Sequence, residues 1–338
     1  MKQAAWSQIL TLPHQVAILP LLALFSLLMN ALSTTPVFVT GVPRSGTTLV
    51  YTTLLEHSVF KPGVDEPMER LMAEAGCFRH PRSIYNRRGG SSKYLLLDED
   101  TIEELHKKTK SLRTYQTIGN LPYRVVKKFM ASQSALVALT YRLGGNPVAL
   151  RTFFDQARKV RKIQRPVEKT PNHILYLPEI WATYPDAKCM FIYRHPVDVL
   201  SSYRKRLQVE IQTIGEKAKS SWLGISWQDF ATRYEHYVNT ALSVQAQGRP
   251  NFMVLPYETL TREPEATIRK ICSFVEVDFD PAMMPKKASK KRNHHTYTGG
   301  EIMAKTKNWS DYLPLEEAKL LEDRLAPLME QLSYTRYS

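Results

Sequence analysis

The chain has 338 residues, 43% of them apolar and 23% Asp, Glu, Lys or Arg, which excludes a disordered or fibrous polypeptide and leaves apolar mass for a sizeable core. Forty-six Lys and Arg against 32 Asp and Glu give a formal charge of +14, a surplus that favours an anionic partner: nucleic acid, a phosphorylated cofactor, a sulfated polymer or acidic lipid. Cys77, Cys189 and Cys272 are odd in number and far apart, so neither a disulfide framework nor a close zinc-ligand spacing is expected, and the implied compartment is reducing.

Residues 16–32, VAILPLLALFSLLMNAL, run for 17 positions without a charge, at the short limit for a bilayer span, and are interrupted by Pro20, Ser26 and Asn30. After four intervening residues comes VFVTG, which reads as a central buried strand. A spanning helix joined that tightly would press the core against lipid headgroups. Residues 1–35 are therefore expected to form a hydrophobic helix segment packed on the domain or on the mate of a homodimer. Peripheral membrane contact through residues 16–32 is the next reading, and a true span or signal peptide the last. The expected location is cytoplasmic, membrane-associated in the second reading.

From residue 36 onward the pattern is that of one domain, 36–338. VFVTG (37–41) is a strand, the glycine turn after it leads into TTLVYTTLLEH (47–57), and that run reads as a helix. Residues 61–100 read as surface structure around a cleft, with a helical stretch at EPMERLMAEAG. Residues 101–143 read as helical, and 146–163 continue as helix or helix and turn. VEKTP (167–171) is a short strand, ILYLPEIWATYP (174–185) a helix, and CMFIY (189–193) the second strong strand, turning through RHP into a helix. FMVLPYETL (252–260) is a third strong strand and turn, followed by the amphipathic run EPEATIRKICSFVEV. Strands separated by long helical segments predict an α/β fold with a central parallel sheet and helices on both faces. Lys286, Lys287, Lys290, Lys291 and Arg292 fall within 286–292 without an acid and read as a basic loop.

Gly41-Val-Pro-Arg-Ser-Gly-Thr-Thr48 has the GxxxxG spacing of a P-loop, with Thr47 where that motif requires Lys. Successive N–H groups at such a turn and at the next helix start form an anion nest. Arg44 supplies a forked donor, and Ser45, Thr47 and Thr48 supply hydroxyls. The loop is therefore expected to hold a nucleotide phosphate without being built for γ-phosphoryl transfer. A P-loop kinase using ATP is the alternative, opposed by the missing Lys and by the lack of an evident Mg²⁺ carboxylate. No aromatic-basic recognition module accompanies the charge, so nucleic acid is not expected as a partner.

VFVTGVPRSGTTLVYTTLLEH resembles the 5′-phosphosulfate-binding segment of sulfotransferases that use 3′-phosphoadenosine 5′-phosphosulfate (PAPS). KCMFIYRHPVDVLSSYRKRL is similar to their 3′-phosphate segment, with Arg194 ending a strand and Ser202 eight residues on. PYETLTREPEATIRKICSFV resembles the landmark at the adenosine pocket, and VEKTPNH the lysine-containing strand and turn. NWSDYL (308–313) loosely resembles the closing Trp segment. The four main matches fall in family order over residues 37–280. They are closer to the bacterial-type branch resembling protein-tyrosine and lipid-modifying sulfotransferases. The phenol and steroid enzymes carry Lys and Trp where Arg44 and Leu49 stand, and KTPNH departs from their KTHLP-like landmark.

The resemblance implies a P-loop-like phosphate-binding loop in the sheet and additional helices over an acceptor cleft. It also implies transfer of SO₃ from PAPS to a hydroxyl of a lipid-like alcohol, a saccharide or a tyrosine, leaving adenosine 3′,5′-bisphosphate, without a metal. Arg44, Ser45, Gly46, Thr47 and Thr48 would hold the phosphosulfate, Arg194 and Ser202 the 3′-phosphate, and Tyr257 the adenine edge. Lys169 matches the family lysine near the leaving group, and Arg44 stabilises charge there. Two residues compete as base: Glu66, at a distance from Arg44 similar to that of the tyrosine enzymes' glutamate, and His173 in KTPNH. Each has a bland counterpart, with Glu66 opening a helix and His173 holding a turn. Asp65 is an outsider, and Glu168 is a salt-bridge partner for Lys169.

Overall fold

The computed structural model describes residues 34–63, 77–78, 147–148, 150–155, 157–159, 162–216, 222–284 and 309–338. The chain divides into two compact units, one of Met1–Thr35 with His80–Gln164 and one of Pro36–Arg79 with Arg165–Ser338. In the first, residues 150–155 are helical, Phe153 and Phe154 meet edge to face at 5.2 Å, and Asp155 takes Arg158 at 3.2 Å and Lys159 at 2.6 Å. Residues 16–32, 64–76, 101–143 and 286–292, with the expectations attached to them, lie outside the described residues.

The second unit holds a four-stranded parallel sheet of β1 (Val37–Gly41), β2 (Val167–Lys169), β3 (Lys188–Tyr193) and β4 (Phe252–Pro256), in the order β2-β1-β3-β4. Its helices are α1 (Thr47–Leu55), α2 (Leu177–Thr183), α3 (Pro196–Ile214), α4 (Trp227–Ala246), α5 (Tyr257–Arg262), α6 (Pro264–Val275) and α7 (Leu315–Gln331). β1 is fully buried, as its unbroken apolar run demands of a strand covered on both faces. Val37 and Val39 join Met190, Ile192 and Leu255 in one apolar cluster with Leu49, Val50 and Leu54 of α1 and Ile268, Ile271 and Val275 of α6. Phe38 points the other way, edge-on to Phe78 at 5.6 Å and tilted against Tyr184 at 6.4 Å. No helix among the described residues is long and apolar enough to cross a membrane.

The strand runs read from sequence lie where they were expected. The helix expected over 174–185 is split, because Pro171 opens a 3₁₀ turn at Pro171–Tyr176 before α2 begins. The turn expected at YETL is the helix α5. Two helices escaped the sequence reading. α4 has a signal of its own in Ser226, whose hydroxyl accepts from the Asp229 N–H at 3.1 Å. α7 has one in the apolar recurrence of Ala318, Leu321, Leu325, Leu328 and Met329, all buried despite the internal Pro327.

Phe38→Ala empties a fully buried site between two elements and is expected to cost roughly 3–5 kcal/mol. Urea unfolding of wild type and variant measures this, and a loss under 1 kcal/mol would contradict the packing described.

Candidate active site

All four strands run parallel, so their C-terminal ends share one edge of the sheet, and the order reverses between β1 and β3, where open α/β sheets bind ligands. Each sequence landmark follows one of these ends. The 42–46 turn follows β1, Lys169 closes β2, Arg194 follows β3 and Tyr257 follows β4.

The turn is built by backbone contacts. Val42 N–H donates to Ile192 O at 3.0 Å, and Ser45 N–H to Val42 O at 3.1 Å. A Cβ on Gly41 would stand 2.3 Å from Ile192 O, so only glycine lets β1 end this close to β3. Arg44 and Gly46 take positive φ of 71° and 96°, which turns the chain sharply into α1. Among the described residues no side chain caps α1, and no acid sits in its first turn, so its N-terminal partial positive charge meets no carboxylate of that turn. Ser45 Oγ is buried and without a hydrogen-bond partner among the described residues. Thr47 is buried and Thr48 exposed.

Three landmarks meet in one stack. A Cβ on Gly46 would fall 2.4 Å from Tyr257 Cδ2, so the ring lies against the bare α-carbon. The Arg194 guanidinium lies over that ring, 4.7 Å from its centroid. Arg194 pairs with Asp198 one helical turn on at 2.9 Å, while its Nε is buried and has no hydrogen-bond partner among the described residues. α3 starts promptly at Pro196, which brings Ser202 round to accept from Arg44 Nε at 3.3 Å. Ser202 thus sits beside the turn as well as on the helix after Arg194. Next to it, Ser201 donates to Trp309 O at 3.1 Å, which places the Trp of NWSDYL against α3.

His173 lies apart from this stack in its bonding. It is wholly buried, its Nδ1–H donates to Glu168 Oε2 at 2.9 Å, and its Nε2 accepts from Phe78 N–H at 3.4 Å. The other Glu168 oxygen accepts from the Thr170 hydroxyl. Glu168 is thus engaged by Thr170 and His173, and strand alternation sends it to the face opposite Lys169. Cys77 Sγ, a Glu168 oxygen and a His173 nitrogen lie within 4.8 Å of one another. This trio has the chemistry of metal ligands, and sequence spacing could not reveal it. Hydrogen bonds engage both His173 nitrogens and each Glu168 oxygen. Burial, then Glu168, push the Cys77 thiol well up.

Glu66 and Asp65 lie outside the described residues. Sequence reasoning also passed over the groups around the Arg194–His195 corner. Asp198 had a signal, the i,i+4 spacing from Arg194. Glu258 stood beside Tyr257 in the PYETL landmark but was given no role of its own, and the segment after α7 had no signal. His195 is buried, with its Nε2–H donating to Thr335 O at 3.0 Å and its Nδ1 without a partner among the described residues.

Residues 36–281 match the sequence model of a family described as "Sulfotransferase family". An uncharacterized protein of Aquifex aeolicus (strain VF5) is 23% identical over 251 residues, and this chain spans about a quarter, 26%, of its length while 74% of this chain is covered. A sulfotransferase from Mycobacterium avium superposes with a TM-score of 0.49 at 12% identity, over 94% of this chain and 82% of that one. The sulfotransferase domain of the Synechococcus PCC 7002 olefin synthase gives 0.48 at 19%, over 90% and 96%.

Burial lowers the pKa of His195 from its ordinary value, against the raising effects of the Thr335 carbonyl, Asp198, Glu322 and Glu258. The unfolded chain then binds a proton that the folded one resists. Stability is full above about pH 6.5 and falls as the pH drops below it toward the folded-state value. Denaturant unfolding at pH 7.5 and 5.5 is expected to show a shallower loss in His195→Gln than in wild type, and equal losses would contradict the neutral buried imidazole.

Proposed function

This chain belongs to the sulfotransferase family, and we propose that it moves the sulfuryl group of PAPS to an acceptor hydroxyl, in line and without a bound metal. The observation that carries the reading is the stack of Gly46, Tyr257 and Arg194, with the buried Arg194 Nε and Ser45 Oγ lacking partners among the described residues. Buried donors left unsatisfied cost free energy, and a ligand with two anionic ends, one per side of the stack, satisfies both. The donor set fits such a ligand. Arg44, Ser45, the N–H groups at Gly46 to Thr48, and the Thr47 and Thr48 hydroxyls would hold the phosphosulfate end. Arg194 and Ser202 would hold the 3′-phosphate, with Tyr257 at the adenine edge.

When bound, the donor supplies the sulfuryl group and develops negative charge on the oxygen bridging to its 5′-phosphate. Arg44, Lys169 and the uncapped first turn of α1 would meet that charge with fixed donors, as an oxyanion hole does. The Arg44–Ser202 contact ties the two phosphate sides together, so the bound nucleotide is held at both ends by elements that already touch. The full use of both His173 nitrogens supports His173 as the residue that locks the end of β2, and Glu66 as the group that takes the acceptor proton. The acceptor is a hydroxyl of a lipid-like alcohol, a saccharide or a tyrosine. Peripheral membrane contact through residues 16–32 would suit the first of these.

Adenosine 3′,5′-bisphosphate in EDTA is expected to raise the thermal midpoint, because it binds only the native state. Adenosine 5′-monophosphate should raise it much less, and Arg194→Ala should remove that difference. Equal responses to the two nucleotides in wild type would overturn the 3′-phosphate assignment.

With PAPS bound beforehand, Glu66→Gln is expected to slow single turnovers by about 10²–10⁴ while leaving nucleotide affinity nearly unchanged. A Glu66→Gln rate within threefold of wild type would remove Glu66 as the base.

A further inference from the structure

β3 ends at Tyr193, so the Arg194 carbonyl and the His195 amide stand beyond the sheet ladder and must find partners elsewhere. The Arg194 carbonyl accepts from Tyr234 Oη of α4 at 2.7 Å. The His195 N–H donates to Glu258 Oε1 at 2.9 Å. The other oxygen of the same carboxylate accepts from Tyr334 Oη at 2.8 Å, in the segment that follows α7. Burial and then Glu258 push the Tyr334 phenol up, which keeps it a protonated donor.

That segment meets the corner at further points. Thr335 O accepts from His195 Nε2, and the Tyr337 ring stacks on the His195 imidazole at 3.8 Å and 13°. Tyr337 Oη donates to Asp198 Oδ2 at 3.4 Å, the oxygen that holds the Arg194 guanidinium. The segment is itself anchored, because the wholly buried Glu322 of α7 accepts from Tyr337 N–H at 2.7 Å and from Ser338 N–H at 3.2 Å. A carboxylate gripping one amide and one phenol makes charge-assisted bonds of fixed direction. Rotation at the corner would swing the Arg194 side chain off the Tyr257 ring.

We propose that Glu258 is a positioning residue for the donor's 3′-phosphate, joining Tyr334 to the His195 amide so that the adjacent Arg194 guanidinium is held over Tyr257. Glu258 itself touches no ligand. The inference rests on the assignment of Arg194 to the 3′-phosphate, and its test separates the two. The readout is the ratio of dissociation constants for adenosine 5′-monophosphate and adenosine 3′,5′-bisphosphate, measured by calorimetry on the full chain. A side chain that only stabilised the fold would lower the melting temperature and leave this ratio alone.

Glu258→Ala is expected to lower the ratio at least tenfold. Glu258→Gln, which keeps an acceptor for the His195 amide, should hold it within threefold of wild type. Tyr334→Phe keeps the ring and loses only the phenol grip, so it provides a second reading should Glu258→Ala fail to fold, with an expected fall of threefold or more. A folded Glu258→Ala, or failing that Tyr334→Phe, with the wild-type ratio overturns the inference while a collapsed ratio in Arg194→Ala leaves the phosphate assignment standing. A wild-type ratio in Arg194→Ala overturns both.

Discussion

Everything at the candidate site depends on how closely Tyr257 can approach the backbone of Gly46. The ring occupies the space a Cβ would need, and the Arg194 guanidinium lies over the same ring. One aromatic plane therefore sets the spacing between the turn after β1 and the corner after β3. The sheet makes the contact available, because parallel strands in the order β2-β1-β3-β4 send three consecutive neighbours to one edge. Gly41 serves the same end one turn earlier by letting β1 finish against Ile192 O. Either glycine replaced by a larger residue would force the strands or the ring apart.

Charge is arranged around that contact with economy. α1 begins without a carboxylate in its first turn, whereas α3 carries Asp198 there and α5 carries Glu258. The acids that are present point at named groups. Asp198 takes one side of the Arg194 fork, Glu258 takes a main-chain amide, and Glu168 takes Thr170 and His173. Among the described residues, Ser45 Oγ and Arg194 Nε are buried at this edge without a hydrogen-bond partner, while Asp198, Glu258 and Glu168 are engaged. The chain belongs to the sulfotransferase family, and the proposed donor, with phosphate groups at both ends, would call for two such stations.

The amino-acid sequence by itself determined what is local. β1, β3 and β4 follow from short apolar β-branched runs, α1 and α6 from the period of their apolar residues, and the turn at 42–46 from two glycines around Arg44 and Ser45. Arg194 and Ser202 were legible through the resemblance of KCMFIYRHPVDVLSSYRKRL to a 3′-phosphate segment, and the start of α3 at Pro196 carries Ser202 to 3.3 Å from Arg44 Nε. Missed local signals also existed, as the Ser226 cap of α4 and the apolar period of α7 demonstrate. Tertiary structure alone decided partnership. His173 was readable as a base or as a support of its turn, and only the approach of Phe78 and Glu168 to its two nitrogens engages both of them. Glu258 and Tyr334 are 76 residues apart and His195 and Thr335 140 apart. A hydrogen bond depends on about 3 Å of space and is indifferent to sequence distance, so no pattern along the chain encodes which of these groups will meet.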